Sequence, residues 1–148
     1  MAEYTIRPAR REDFPAIRAL IHVVHINPTG LDWRRFQVAV DPDGRLLGCG
    51  QVKVHGDGSR ELASIAVREQ FRSRGVARAV IEALLQREPR RPLYLMCRAP
   101  LEPFYGRFSF KIVVPAEMPA YFRRIHRMAN LFNSGGAAED RLLVMRLD

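Results

Sequence analysis

Glu61-Leu62-Ala63-Ser64-Ile65-Ala66-Val67, then the polar loop Arg68–Arg74, then Gly75-Val76-Ala77: this stretch decides how the rest of the chain is read. The six residues after Glu61 are all small or apolar, and the stretch reads as a strand buried on both faces. From about Gly75 to Arg87 the apolar residues Val76, Val80, Ala83 and Leu84 recur at helical spacing. The connecting segment Arg72-Ser73-Arg74-Gly75-Val76-Ala77 is not a loop ending in Gly-Lys-Ser/Thr, nor a three-glycine dinucleotide fingerprint. It nevertheless suits an anion, because amides at a helix start lack intrahelical acceptors and sit at the positive end of the dipole. Gly75 admits close approach to the backbone, and Arg68, Arg72, Arg74 and Arg78 supply charge. The alternative is an ordinary basic loop capping a helix.

Working outward, residues 3–8 alternate weakly and read as a first strand. Asp13 reads as the N-cap of a helix over residues 14–25, with its stripe at Phe14, Ile17, Leu20, Ile21 and Val24. Asn27-Pro28-Thr29-Gly30 ends that helix, and a short helical turn is expected over Leu31–Arg35. Phe36–Val40 and Arg45–His55 flank Asp41-Pro42-Asp43-Gly44 and so read as a hairpin. His55-Gly56-Asp57-Gly58 is a second turn, leading into the strand Glu61–Val67. Downstream, Leu93–Cys97 reads as a short buried strand, Pro100–Phe108 as helical and Phe110–Val114 as extended. Between Ala116 and Phe132 the apolar positions Met118, Phe122, Ile125, Ala129 and Phe132 make one face of a helix. Arg141–Leu147 closes the chain as a strand. This order predicts one α/β domain over residues 1–148, with a mixed, mostly antiparallel sheet and helices on both faces.

Composition narrows the partners. The chain has 148 residues, 47% hydrophobic and 27% charged, ordinary values for a globular protein and not for a disordered or fibrous one. The densest apolar run, Leu20–Ile26, contains two histidines and is too short for a membrane span. Met1–Arg11 is polar with both charge signs, unlike a signal peptide, so the chain reads as cytoplasmic. The formal net charge of +8 and sequence pI near 10.5 favour a polyanionic partner: nucleic acid, anionic lipid or a phosphate-rich cofactor. Two cysteines make neither a disulfide framework nor a four-ligand zinc site. His22 and His25 stand three apart but find no third ligand at suitable spacing, so no metal is expected. Cys97 reads as a buried thiol and Trp33 as a core anchor.

Taken in order, Glu61–Val67, Arg72-x-x-Gly75-x-Ala77, the helix through Leu85 and Phe104-Tyr105-Gly106-Arg107-Phe108-Ser109-Phe110 resemble the GNAT superfamily of N-acetyltransferases. Ile6-Arg7-Pro8 and Asp13-Phe14-Pro15-Ala16-Ile17 look like that family's opening strand and helix. The likeness runs over nearly the whole chain except residues 115–140.

The resemblance implies a three-layer fold and acetyl-CoA as acyl donor, with no metal. It places the coenzyme pyrophosphate on the amides of Arg72, Ser73, Arg74, Gly75, Val76 and Ala77. It places the pantetheine arm along Ile65, Ala66 and Val67, beside a strand edge splayed from Leu93–Cys97, with the Val67 amide near the thioester carbonyl. Tyr105 matches the tyrosine that often protonates the departing thiolate, and also lies against the coenzyme. Glu61 matches a position where several members carry a general base. Ser109 stands where the family usually has glycine, and Cys97-Arg98 where many members have asparagine. The connection holding the 116–132 helix lies beside the acceptor entrance in that fold. Its basic face, Arg123, Arg124, Arg127 and Asn130, would then either line the entrance and favour acceptors with negative charge near the amine, or be the solvated face of a structural helix.

The chemistry asks for the same residue types. An alkyl amine with a pKa of about 10.4 must lose a proton before it attacks, and a carboxylate such as Glu61 can take it directly or through water. The oxyanion then formed needs a fixed backbone N–H, and the leaving thiolate needs a proton, for which a phenol serves. Tyr105 read without the family is an aromatic packed beside Phe104 and Phe108, and Glu61 a solvated ion-pair residue at a strand start. His55 carries little weight as a pocket residue. Two rival readings stand beside acetyl transfer to an amine: a basic RNA- or DNA-binding module, and an inactive acyl-CoA sensor on the same fold. Against the first, no aromatic RNA-binding strand pattern, zinc knuckle or helix-turn-helix appears. The acceptor stays open, as does the choice between monomer and homodimer.

Overall fold

Asp41 closes the first hairpin as its sequence implies. Its Oδ1 accepts the amides of Asp43 (3.0 Å) and Arg45 (2.8 Å), and Gly44 takes φ of 83°. The flanking strands are β2 (Phe36–Val40) and β3 (Leu46–Val54), seen here in a computed structural model that describes residues 3–132 and 138–148. β1 (Thr5–Pro8) pairs antiparallel with β2. α1 spans Phe14–Val23, a 3-10 turn spans Trp33–Arg35, β4 spans Arg60–Val67 and α2 spans Val76–Arg87. Then come β5 (Leu93–Arg98), α3 (Glu102–Gly106), β6 (Lys111–Ile112), α4 (Ala120–Phe132) and β7 (Leu142–Leu147).

The chain forms two compact units, Met1–Lys53 with Leu62–Pro89, and Val54–Glu61 with Arg90–Asp148. In the first, the strands neighbour one another in the order β1-β2-β3-β4. In the second, the order is β4-β5-β7-β6, β4 running through both units. β4 and β5 pair in parallel, at Glu61↔Tyr94, whereas β1–β2, β2–β3, β5–β7 and β6–β7 pair antiparallel, so the fold is a mixed, mostly antiparallel α/β one.

In the first unit the sheet is covered on both faces. Ile17, Leu20 and Ile21 of α1 bury against Phe36, Val38, Val40, Leu46 and Cys49. A register shift between Ala39 and Val40 makes Leu47 the extra residue, which keeps Leu46 on the α1 face. α2 covers the other face, where Gly48 and Gly50 stand. A Cβ on Gly48 would come within 2.8 Å of Val76 and one on Gly50 within 3.0 Å of Leu84, so the glycines let the helix lie close. In the second unit Met118 and Phe122 bury against Tyr94, Val113 and Val144.

Three readings of the sequence need correcting. Asp13 does stand at the N-cap position of α1, but its side chain makes no cap hydrogen bond there. Its carboxylate takes the Arg7 guanidinium at 2.7 and 3.0 Å and the Arg10 amide at 2.7 Å, which holds its pKa below the usual range. The helix expected from Ala116 begins at Ala120, because Pro119 blocks helix continuation and Pro115–Glu117 is a 3-10 turn. Met118 is buried from outside the helix, and the side chain of Phe132 lies outside the described residues. Finally, β4 is not buried throughout: Ala63, Ser64 and Ile65 are only half-buried.

Candidate active site

The loop after β4 has the backbone of an anion seat. The Arg72 Nε donates to the Val67 carbonyl at 3.4 Å, folding the loop back on the strand end. Ser73 and Gly75 then take left-handed conformations, φ 64° and 81°, and α2 starts at Val76. Among the described residues no side chain caps this start, so the first-turn amides keep their donors for something outside the helix. Arg72, Ser73, Arg74 and Gly75 are exposed, whereas the Val76 side chain is core and can offer a ligand only its amide. The arginines divide their work. Arg78 pairs with Glu82 at 2.9 Å, and the Arg74 guanidinium lies 5.5 Å from the Phe71 ring centroid. The residue types and geometry fit a pyrophosphate.

Upstream in β4, Ser64 sits at φ 60°, a left-handed residue inside a strand. Its carbonyl faces the Cys49 thiol at 3.7 Å and its Oγ accepts from Gln51 Nε2 at 2.9 Å. This irregularity half-exposes the strand just before Ile65, Ala66 and Val67, and nothing in the sequence announces it.

Glu61 is not the solvated residue its position suggests. Its side chain is 7% exposed and its Oε1 lies 2.7 Å from His55 Nε2. The turn positions the histidine: the His55 amide donates to the Ser59 carbonyl and its own carbonyl accepts the Gly58 amide, both at 2.9 Å. The imidazole stacks on Tyr121 at 3.6 Å and meets the edge of Phe122 at 5.6 Å. Asp57, in the same turn, accepts Ser59 Oγ (2.6 Å), Ser59 N (2.9 Å) and the first-turn amide of Tyr121 (3.1 Å). It thus serves α4 as a borrowed cap, and the bonds hold its pKa down to about 2. Burial, then the nearby Glu61 carboxylate, raises the Tyr121 phenol. The signal for His55 was present: His and Glu flank one tight turn, which brings them together across it.

Tyr105 lies half-buried on α3, its ring edge-on to Phe104 at 5.1 Å and Phe110 at 6.4 Å. Burial, with Cys97 beside it, pushes its pKa up to about 12. Cys97 is buried as read and its thiol is raised to about 11. Ser109 takes φ 74°, so it supplies the backbone that glycine would give at that place. The basic face of α4 is partly committed to its own chain. Arg123 donates to the carbonyls of Pro115 (3.1 Å) and Met118 (2.9 Å), and Asn130 Nδ2 lies 3.4 Å from the Leu142 carbonyl. Arg124 and Arg127 are exposed. Among the described residues no group of three or more His, Cys, Asp or Glu side chains forms a metal site.

Comparison with known proteins decides the family. Residues 32–112, just over half of the chain, match the model of the acetyltransferase (GNAT) domain. The chain belongs to the GNAT acetyltransferases. Among solved structures, N-acetylglutamate synthase from Neisseria gonorrhoeae, complexed with coenzyme A and L-arginine, is 21% identical with a TM-score of 0.72. The match covers 99% of this GNAT chain and 34% of that one, so this chain spans about a third of that enzyme's length. A Mycobacterium tuberculosis protein in complex with CoA is 22% identical, TM-score 0.72, covering 97% and 98%. The ribosomal-protein-S18-alanine N-acetyltransferase of Escherichia coli is 18% identical, TM-score 0.67, covering 97% and 92%. No curated protein matches the sequence. No helix among the described residues is long and apolar enough to cross a membrane.

Proposed function

We propose that residues 1–148 act as one acyltransferase domain in which an amine attacks acetyl-CoA directly, without an acetylated enzyme. The observation that carries this reading is the uncapped α2 start behind Ser73 and Gly75. Its amides, with those of Arg72, Arg74, Val76 and Ala77, bind the pyrophosphate, and Arg72 and Arg74 add charge. Ile65, Ala66 and Val67 hold the pantetheine arm, the Val67 amide polarising the thioester carbonyl.

Glu61 takes the proton of the attacking amine, directly or through water. Its 2.7 Å contact with His55 gives that proton a second resting place and fixes the carboxylate. Tyr105 gives the departing thiolate its proton. A phenol raised to about 12 stays protonated across the working pH range, so the donor is always loaded. Neither cysteine serves as nucleophile, since burial raises Cys49 to about 12 and Cys97 to about 11 and so holds both as thiols. Two buried, unpaired cysteines also suit a reducing, cytoplasmic setting. The acceptor is an amine, on a small molecule or a protein.

Initial-velocity kinetics test the scheme. Double-reciprocal plots of thiol release against acetyl-CoA, at several acceptor concentrations, should intersect. Parallel lines would show an acetylated enzyme and overturn direct attack.

A further inference from the structure

On β3, Gln51 and Lys53 stand two residues apart and therefore share one face of the strand. Both are buried, Gln51 at 0% and Lys53 at 8% exposure. Gln51 Nε2 donates to the Gly30 carbonyl (3.2 Å) and to Ser64 Oγ (2.9 Å), which fixes the amide's orientation, since a flip would set oxygen against the Gly30 oxygen. The other end, Gln51 Oε1, is buried and has no hydrogen-bond partner among the described residues. Lys53 Nζ donates to the Thr29 carbonyl at 3.0 Å, and among the described residues no carboxylate stands within salt-bridge distance of it. Gly30, at φ 67°, presses close: a Cβ there would lie 3.4 Å from Lys53 Nζ.

A buried ammonium answered by a neutral carbonyl, beside a buried acceptor with no donor, is a costly arrangement for stability alone. One ligand settles both groups. A carboxylate replaces the Thr29 carbonyl on Lys53, and an N–H of the same molecule reaches Gln51 Oε1. The exposed loop that supplies Thr29 and Gly30 is held over the pair by these same side-chain bonds, so it yields when the ligand takes them over. Through Ser64, Gln51 also grips β4 immediately before Ile65–Val67.

Resting on the acetyltransferase reading, we propose that Lys53 and Gln51 form the acceptor's carboxylate subsite, so that the acceptor is an amino acid or a short amine bearing a carboxylate.

Paired acceptors test this, first on the parent protein and then on Lys53 variants. Thiol release is measured for a panel of amino acids, their carboxamides and the corresponding amines lacking the carboxyl group. The free acids should exceed their carboxamides at least tenfold in kcat/KM. In Lys53→Met that ratio should fall towards one, and Lys53→Arg should recover part of it. Calorimetric coenzyme A affinity, measured on each folded variant, should stay within twofold of the parent. A ratio near one in the parent, or an undiminished ratio in Lys53→Met, overturns the subsite while leaving acetyl transfer standing. Absence of coenzyme A binding in the parent overturns the acetyltransferase reading and this inference with it.

Discussion

Gly75 is where the backbone itself can be put to the test. It holds φ 81°, ψ 6° at the residue before α2, and among the described residues the only atom a Cβ would meet within 4 Å is the Tyr4 hydroxyl, at 3.7 Å. That is an ordinary contact, so the folded protein has room for a side chain and the cost is conformational. A left-handed L-residue costs about 1–2 kcal/mol, more for a β-branched one, and asparagine least. In a chain of this size each 1 kcal/mol lowers Tm by about 2–4 °C, so Gly75→Ala should melt about 2–8 °C below the parent and Gly75→Asn less. Binding is a separate quantity. If the pyrophosphate lies against the amides of residues 72–77, a side chain at position 75 keeps it away, and one lost charge-assisted bond is about 1.5–3 kcal/mol. Coenzyme A affinity should therefore drop at least tenfold, about 1.4 kcal/mol, in Gly75→Val and in Gly75→Asn alike. Calorimetry at fixed salt, with melting curves on the same samples, separates the two effects. Parent-like affinity in a folded Gly75→Val protein would refute the loop assignment. Affinity restored by asparagine would show that only the conformation matters, not the close approach.

Other residues give sharper chemical readouts. Tyr105→Phe should lower kcat with little change in coenzyme affinity, because a proton donor acts in the transition state, and parent-like kcat would remove Tyr105 from the mechanism. The same phenol is raised in the folded chain from about 10 to about 12, so its stabilisation is complete below pH 10 and fades as pH climbs through 12. Tyr105→Phe should accordingly flatten the alkaline limb of a stability profile. Asp57, depressed to about 2, works in the opposite sense: its contribution is present above about pH 4 and is lost as pH falls towards 2. Asp57→Ala should blunt acid denaturation and, by removing the borrowed cap of α4, destabilise by about 0.5–2 kcal/mol in chemical denaturation at neutral pH. Glu61→Gln should depress turnover most at low pH, where more of the acceptor amine is protonated. Iodoacetamide at neutral pH should leave Cys49 and Cys97 unlabelled in the native protein and label both after unfolding, as intact-mass measurement would show.

Much of this molecule is written in short-range signals. Asp41-Pro42-Asp43-Gly44 encodes its own turn through one carboxylate and one glycine, so the first hairpin is legible residue by residue. Gly75, followed by the stripe at Val76, Val80 and Leu84, marks the start of α2 for the same reason. What escapes is set by tertiary context. The stripe through Met118 and Phe122 is real as burial but misleading as helix, because periodicity counts side chains and ignores that Pro119 cannot continue the helix. Asp13 has the composition of a cap, yet the Arg7 guanidinium outcompetes the α1 amides for its oxygens. Ser64 enters a left-handed conformation that no local residue type demands. At the site, Tyr105 and Glu61 stand out through the family pattern. His55 is legible only through the tight turn that brings it to Glu61, and the bonds from Arg123 to the carbonyls of Pro115 and Met118 have no signal in a run of basic residues. Gln51 and Lys53 give no signal in the sequence, since polar residues in a strand look solvated until a loop folds over them.

The most direct test of acetyl transfer uses the purified protein, acetyl-CoA and the amine panel, following free thiol and acceptor mass together. The expected result is one free thiol for each acceptor that gains an acetyl group, with the rate saturating in both substrates. Coenzyme A binding with no acetylated product for any amine, and no thiol released beyond the protein-free control, would contradict it and leave an acyl-CoA-binding protein in place of an enzyme.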